Sequence, residues 1–248
     1  RTSSSAASDV YKRQDLSQAV TVLTSDDLDK KQISTFVDIS AIAPGVNVAK
    51  NEGFKTVITI RGVGYETNQN AIATPSVSYH LDGIYIASPY SLQTEFMDLE
   101  RIEVLRGPQG TLFGQNSTGG AINVITSAPS LEESSSYGDI TIGDYSLIKT
   151  RASFNRPLSE TLAVRASFIT HKRDGFTDNL STGQDLDDAD SISARVRFLY
   201  QPSETFRANF TAQIFDENRN GSAQKGLLDT TTDPRKLRQN SKTEHKLE

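Results

Sequence analysis

Residues 98 to 126 read Asp98-Leu-Glu-Arg-Ile-Glu-Val-Leu-Arg-Gly107-Pro-Gln-Gly110-Thr-Leu-Phe-Gly114-Gln-Asn-Ser-Thr-Gly119-Gly120-Ala-Ile-Asn-Val-Ile-Thr126. Two apolar, β-branched runs, Ile102–Leu105 and Ile122–Ile125, bracket a stretch rich in glycine. The runs are strand-like. Gly107, Gly110, Gly114, Gly119 and Gly120 permit tight turns and close approach of the backbone to a neighbouring wall. A phosphate-binding loop would need a Lys after the glycines, and Gly120 is followed by Ala121, so that reading is discarded.

Upstream, short strand and helix signals alternate. Val20–Thr24 is extended and β-branched, and Ser25 is expected to cap a helix opening on Asp26-Asp27-Leu28, where acidic residues suit the helix dipole. Thr35 is expected to cap a second helix with Phe36, Val37, Ile39, Ala41 and Ile42 largely on one side, stopped by Pro44-Gly45. Val57–Ile60 predicts a strand ending at Arg61-Gly62. Val77–Leu81, Asp82-Gly83 and Ile84–Ile86 predict a hairpin with a type I′ turn. Residues 15–131 thus read as a small α+β domain.

From Ser135 the texture changes to long alternating strands, residues 132–248 forming the second region. Ile148, Thr150, Ala152 and Phe154 alternate with Lys149, Arg151, Ser153 and Asn155. The pattern recurs in Leu162–His171, Ser191–Tyr200 and Phe206–Phe215, and more weakly in Tyr137–Tyr145. A half-buried sheet of a soluble sandwich alternates in the same way. Strands longer than the usual five or six residues, with repeated Arg on the polar face, favour a membrane barrel around a water-filled lumen. Connections at 156–160 and 201–204 are tight, while 172–189 and the stretch after Asp216 are long and polar, as in barrels with short periplasmic turns and long external loops.

Composition excludes several classes. The chain has 248 residues, 35% hydrophobic, with net charge −5 and no Cys. No run of about 18 apolar residues exists, so no transmembrane helix is expected, which leaves barrel strands of about 9–11 residues open. Without Cys there are no disulfides or thiolate metal sites, and mild acidity without a basic stripe argues against a nucleic-acid partner. Residues 1–14 are Ser/Ala-rich and read as disordered or artefactual. The tail from Asp229 shows no strand pattern and is expected to stop in mid-protein.

The segment Asp98–Thr126 closely resembles the C-terminal plug signature of TonB-dependent outer-membrane receptors. Ile42-Ala43-Pro44-Gly45-Val46, Ile60-Arg61-Gly62 and Leu81-Asp82-Gly83-Ile84 stand upstream in the same order. Gly143-Asp144-Tyr145, Pro157-Leu158-Ser159 and Arg173-Asp174-Gly175-Phe176 resemble the family's barrel entry, so that the likeness spans about Asp15 to Gly221. It implies an α+β plug domain followed by antiparallel transmembrane β-barrel strands, about five of a barrel of about 22. Where the family carries its TonB-binding box, residues 1–14 stand instead, and no box is assigned.

The resemblance further implies a receptor of the Gram-negative outer membrane. It would bind a scarce nutrient at the cell surface, an iron–siderophore complex by family default, with haem, cobalamin, nickel chelates and oligosaccharides as other cargoes. The TonB energy-transducing complex would pair with the box as an added strand and pull the plug. Lipid, TonB and a small ligand such as a metal chelate are then the partners, with no cofactor, metal or catalytic residue. Arg61, Glu100, Glu103 and Arg106 are expected in plug-to-wall or intra-plug ion pairs, the alternative being solvated strand ends. Tyr65, Asn68, Gln69, Tyr90 and Phe96 are expected at ligand-facing apices, since aromatics and amides suit sugars and chelates alike; ordinary polar loops are the alternative.

Three other motifs are read as incidental. Asp216-Glu-Asn218-Arg-Asn220-Gly221 copies half an EF-hand loop, but Leu227 stands where the terminal Glu belongs. Asp185, Asp187, Asp188 and Asp190 form a solvated acidic loop or a divalent-ion site. His80 and Asp82 share a hairpin with no nucleophile motif nearby. The rival from another class is a soluble α+β and β-sandwich binding or adhesion module; a passive porin is opposed by the plug signature.

Overall fold

The computed structural model describes residues 20–31, 33–51, 55–64, 75–87, 95–225, 229–239 and 245–247. These fall into two compact units dividing between Thr126 and Ser127, five residues earlier than the boundary expected from the sequence.

In the first unit, β1 (Val20–Thr24), β7 (Leu99–Arg106), β8 (Gly120–Thr126), β5 (Val77–Leu81) and β6 (Ile84–Tyr85) form a sheet in the order β1-β7-β8-β5-β6. Only β5 and β8 run parallel. A second sheet joins β2 (Val46–Asn51), β3 (Lys55–Ile60) and β4 (Val63–Gly64). Two short helices, α1 (Ser25–Lys30) and α2 (Phe36–Ile39), precede it. The cap of α1 is Thr24, one residue earlier than expected, because Asp27 closes a reciprocal box with it. Asp27 N–H donates to Thr24 Oγ1 at 3.3 Å, and Thr24 N–H to Asp27 Oδ2 at 3.1 Å. At α2, Asp38 Oδ2 accepts from Thr35 N–H at 2.8 Å, but only one turn of helix follows. The core joins Phe36, Ile39, Ile60, Ile102, Val104, Ile122 and Val124. Phe36 packs edge-on against Tyr79 and Phe96, with centroids 4.9 and 4.8 Å away.

The Asp82-Gly83 turn has φ of +49° and +80°, the double left-handed geometry that a type I′ hairpin needs. Its carboxylate hooks the hairpin to the end of β8, accepting from Thr126 N–H at 2.8 Å and Thr126 Oγ1–H at 2.7 Å. At Gly120 (φ +147°) a Cβ would lie 2.4 Å from Leu105 O and 2.8 Å from Ile60 Cδ1. Gly119 is similarly close to Val63. These close approaches are to the unit's own strands. Gly110 opens a one-turn helix, α3 (Gly110–Phe113), and a Cβ there would meet nothing, so it needs no glycine.

The second unit is dominated by β9 (Ser135–Gly143), β10 (Leu147–Ser159), β11 (Leu162–Arg173), β14 (Ala189–Ser203) and β15 (Phe206–Arg219), antiparallel neighbours in the order β9-β10-β11-β14-β15. β17 (His245–Leu247) extends the sheet beyond β15. The turns at Ser159-Glu160-Thr161 and Ser203-Glu204-Thr205 repeat each other. Each has a register shift beside it and a Ser Oγ to Thr Oγ1 bond, of 3.4 and 3.3 Å. At the opposite end the connections are less uniform than expected. Asp144–Ser146 is as tight as the turns below, while the long stretch between β11 and β14 carries β12 (Thr177–Asn179) and β13 (Gln184–Leu186). β16 (Lys236–Leu237) pairs with β12, so the tail beyond Asp229 contains short strands where none was expected.

The sense of burial in this sheet is inverted relative to a soluble sandwich. Ile142, Phe154 and Phe210 are 79%, 53% and 63% exposed. Asn155, Ser167, Ser153 and Arg195, on the other face, are buried. A row this apolar is stable facing outward only where the solvent is hydrocarbon. Among the described residues no helix is long and apolar enough to cross a membrane; the strands do so.

Two outcomes follow from these contacts. Gly120→Ala should lower plug stability by about 2–4 kcal/mol, from backbone strain plus overpacking, whereas Gly110→Ala should change it by less than about 0.5 kcal/mol; urea midpoints measure both. Cysteines replacing Phe154 and Phe210 should resist a water-soluble maleimide in the membrane-embedded receptor while one replacing Asn209 reacts, and equal labelling of the two faces would refute the membrane assignment.

Candidate functional site

The signature strands β7 and β8 and the corner at Pro44-Gly45 bring two expected charges together. Arg106, at the end of β7, donates from Nε to Pro44 O at 3.0 Å and from Nη1 to Thr21 Oγ1 at 2.7 Å. It thereby ties three separate stretches of the plug. Arg61 sits at the same corner with φ +54°, its N–H donating to Gly45 O at 2.7 Å. Burial, and secondarily the Arg61 charge, push the Arg106 guanidinium below its usual value. No carboxylate is seen against either Arg among the described residues, so the corner is a concentrated positive spot.

Glu100 and Glu103 are placed differently. Arg101 between them pairs with both, its Nε donating to Glu103 Oε1 at 2.8 Å and its Nη1 to Glu100 Oε1. Glu103 Oε2 also accepts from Asn123 Nδ2 at 3.1 Å. These two carboxylates thus have partners within the plug itself, of the intra-plug kind allowed for in the sequence. Arg101 was missed there, although a Glu-Arg-Ile-Glu run alternating along one strand places all three charges within reach.

Of the expected ligand-facing residues, Tyr65, Asn68, Gln69 and Tyr90 lie outside the described residues. Phe96 is not at an apex: it is 7% exposed, and its ring belongs to the Phe36 cluster. An aromatic near the start of β7 served packing, which periodicity over so short a run did not reveal. His80 is also buried, against Phe113 at 4.8 Å and Tyr85 at 5.6 Å between centroids, and burial lowers its pKa. Tyr85 Oη accepts from Asn116 Nδ2 at 2.7 Å, which fixes the glycine-rich turn over this hairpin.

The incidental motifs are structural. Asp216 and Glu217 lie within β15, an extended geometry incompatible with a calcium loop. Asp187 accepts from Thr177 Oγ1 at 2.7 Å and from Ala223 N–H at 3.0 Å, and Asp188 from Asn220 N–H at 2.7 Å. The carboxylates pin loop backbone, and among the described residues no cluster of potential metal ligands occurs. Tyr145, Phe176 and Arg173 stack at the same end of the strands, with Arg235 donating to Tyr145 Oη at 3.1 Å.

Two contacts bind the segment that leaves the plug. Asn155 Oδ1 accepts from Ser130 N–H at 2.9 Å, and its Nδ2 donates to Ser130 O and Glu133 O at 3.1 and 2.6 Å. Arg197 Nη1 donates to Ser127 O at 3.2 Å. Their only sequence signal was an Asn and an Arg on the polar face of strands.

Comparison with known proteins agrees with this geometry. The family model for the TonB-dependent receptor plug domain matches residues 12–121. The pesticin receptor of Yersinia pestis is 31% identical over 171 residues, covering 66% of this chain and 24% of that protein. The ferric enterobactin receptor of Pseudomonas aeruginosa is 27% identical, covering 87% of this chain and 34% of that receptor. The crystal structure of the ferric yersiniabactin uptake receptor from Yersinia pestis superposes with a TM-score of 0.76 at 24% identity, over 89% of this chain and 34% of that one. The chain spans about a third or less of the length of these relatives, which are receptors and not enzymes. Its plug signature, its outward-facing apolar strands and these likenesses place it in one group: the chain belongs to the TonB-dependent receptor family of the Gram-negative outer membrane and carries the plug domain and the start of the β-barrel.

Proposed function

We propose that the protein to which this chain belongs binds an iron–siderophore complex at the cell surface and imports it across the outer membrane when the TonB complex pulls on the plug. The observation that carries this is a plug domain followed directly by long antiparallel strands with an exposed apolar face, of which β10, β11 and β14 bury much of the polar face. Similarity to a ferric enterobactin receptor and a ferric yersiniabactin uptake receptor supports iron chelates as cargo. The outer membrane has no nucleotide supply of its own, so work done there must be delivered mechanically. A plug that met its wall through polar contacts would suit that purpose, because charged and hydrogen-bonded surfaces separate with less loss than a dry apolar seam.

Within this reading Tyr65, Asn68, Gln69 and Tyr90 meet the ligand at the plug apices. Arg61 and Arg106 present their paired charge to carboxylates of the barrel wall, where acids would offset the mutual repulsion of two guanidiniums. A soluble adhesion module is the competing class, and the exposed Ile142, Phe154 and Phe210 row opposes it.

The test is uptake of a radiolabelled ferric siderophore by whole cells making the complete receptor, with and without a functional TonB system. Surface binding should persist in both and accumulation should occur only with TonB. Accumulation that proceeds equally without it would refute the mechanism.

A further inference from the structure

One face of the first plug sheet carries a polar layer roofed by the glycine-rich turn. Along β5, Val77 and Tyr79 enter the apolar core, so Ser78 and His80 point to the other face. There His80 stands beside Asn123 on β8 and opposite Tyr85 on β6, and Ser78 stands beside Ala121. The turn from Gly107 to Gly119 folds back over this face. Its ends are fixed by Gly107 N–H donating to Gly119 O at 3.2 Å and by Gly119 N–H donating to Ser76 O at 2.8 Å. Its middle is held by the Phe113 ring against His80 and by the bond from Asn116 to Tyr85. Beneath and within the turn, five polar atoms are buried without a hydrogen-bond partner among the described residues. They are Ser78 Oγ, Nδ1 and Nε2 of His80, Gln109 Oε1 and Asn123 Oδ1.

A buried polar atom left unpaired costs its desolvation in full, so the turn closes over a layer that resists being covered. His80 is the member of that layer whose charge changes near neutral pH. The groups packed around it offer little to a charged ring. Phe113 on α3 and Asn123 on β8 are neutral, and the Tyr85 hydroxyl on β6 is engaged by Asn116. Asp82 in the hairpin turn accepts from Thr126. Glu103, the acid on the same face, stands one strand beyond Asn123 and is held by Arg101 and by Asn123 itself. Burial pushes the His80 pKa below its ordinary value, and the Gly83 backbone, too poorly aligned to be a hydrogen-bond partner, offsets this only in part. We infer that His80 is an acid-sensitive latch: the neutral ring lets the signature turn close over the sheet, and the protonated ring favours the open turn. In the open turn the ring meets water and titrates near about 6.5; in the closed turn it titrates lower. The closed turn therefore keeps its full stability above about pH 6.5 and loses it as pH falls through that value toward the closed-state pKa, because the open state takes up the proton first. The plug yields more readily in acid surroundings as a result.

The test uses the complete receptor in outer-membrane vesicles. Ser78, which has no exposed surface, lies beneath the turn, and Ser78→Cys places a thiol of nearly the same shape there. Its rate of reaction with a dipyridyl disulfide, a reagent that consumes thiols at acid as well as neutral pH, reports how often the turn opens; receptor without the substitution gives the background. The rate is measured at about pH 7.5 and about pH 5.5 with His80 native, with His80→Phe, which keeps a ring against Phe113 and Tyr85, and with His80→Gln. Neither replacement titrates in this range, so the rate with native His80 divided by the rate in either variant removes the pH dependence of the reagent itself. That ratio should rise on acidification by up to roughly tenfold, the factor by which an imidazole favours the open state one unit below its free pKa. A ratio that stays level or falls against both variants would overturn the latch, since any opening by acid would then arise elsewhere in the protein. The measurement involves neither cargo nor TonB, so its outcome is independent of the import reading.

Discussion

A strand in hydrocarbon must turn its apolar side chains outward and leave no backbone group unpaired, and everything else in this molecule is arranged around that requirement. The pairing of β10, β11, β14 and β15 runs almost without interruption for the length of each strand, because an unpaired N–H or C=O in lipid costs several kcal/mol. The period of two then does the rest. With Phe154, Phe168 and Phe210 committed to one side, Asn155, Ser167 and Asn209 fall on the other, so the interior is polar by geometry and not by separate design.

The first unit is organised on a different principle. The plug builds a small apolar core of its own around Phe36, Ile60, Ile102 and Ile122, and keeps its charges at strand ends and corners. Its integrity relies on local devices more than on size: the Thr24–Asp27 box, the Asp82 hook onto Thr126, the close approach at Gly120 and the Arg106 ties to Pro44 and Thr21. Each is a polar or steric lock that holds at rest, and none requires a broad apolar surface to stay dry.

Much of this was legible in the sequence, and the exceptions have physical causes. Four of the five long strands were plain because alternation over about ten residues is hard to produce by accident, the first being weaker, and Asp82-Gly83 was visible because few residues tolerate two positive φ values in succession. The second plug sheet was only half seen. Val46–Asn51 mixes Asn and Lys with Val, and its pairing with Lys55–Ile60 is a tertiary fact. The cap shifted from Ser25 to Thr24 because both are good caps and only the position of Asp27 decides between them. Phe96 was misplaced for a related reason: a single aromatic beside a strand says nothing about which way it turns. Arg61 and Arg106 were expected in ion pairs, and that they share one corner depends on a chain reversal between them that no local pattern records.

The bonds from Asn155 and Arg197 to the stretch Ser127–Glu133 have a mechanical meaning. The chain leaving β8 is moored to the polar side of the strands by side-chain bonds to its main chain. The first residues after the boundary are therefore part of the sheet's own fabric and not a slack linker, so the covalent join between the two units has a fixed position on the strands.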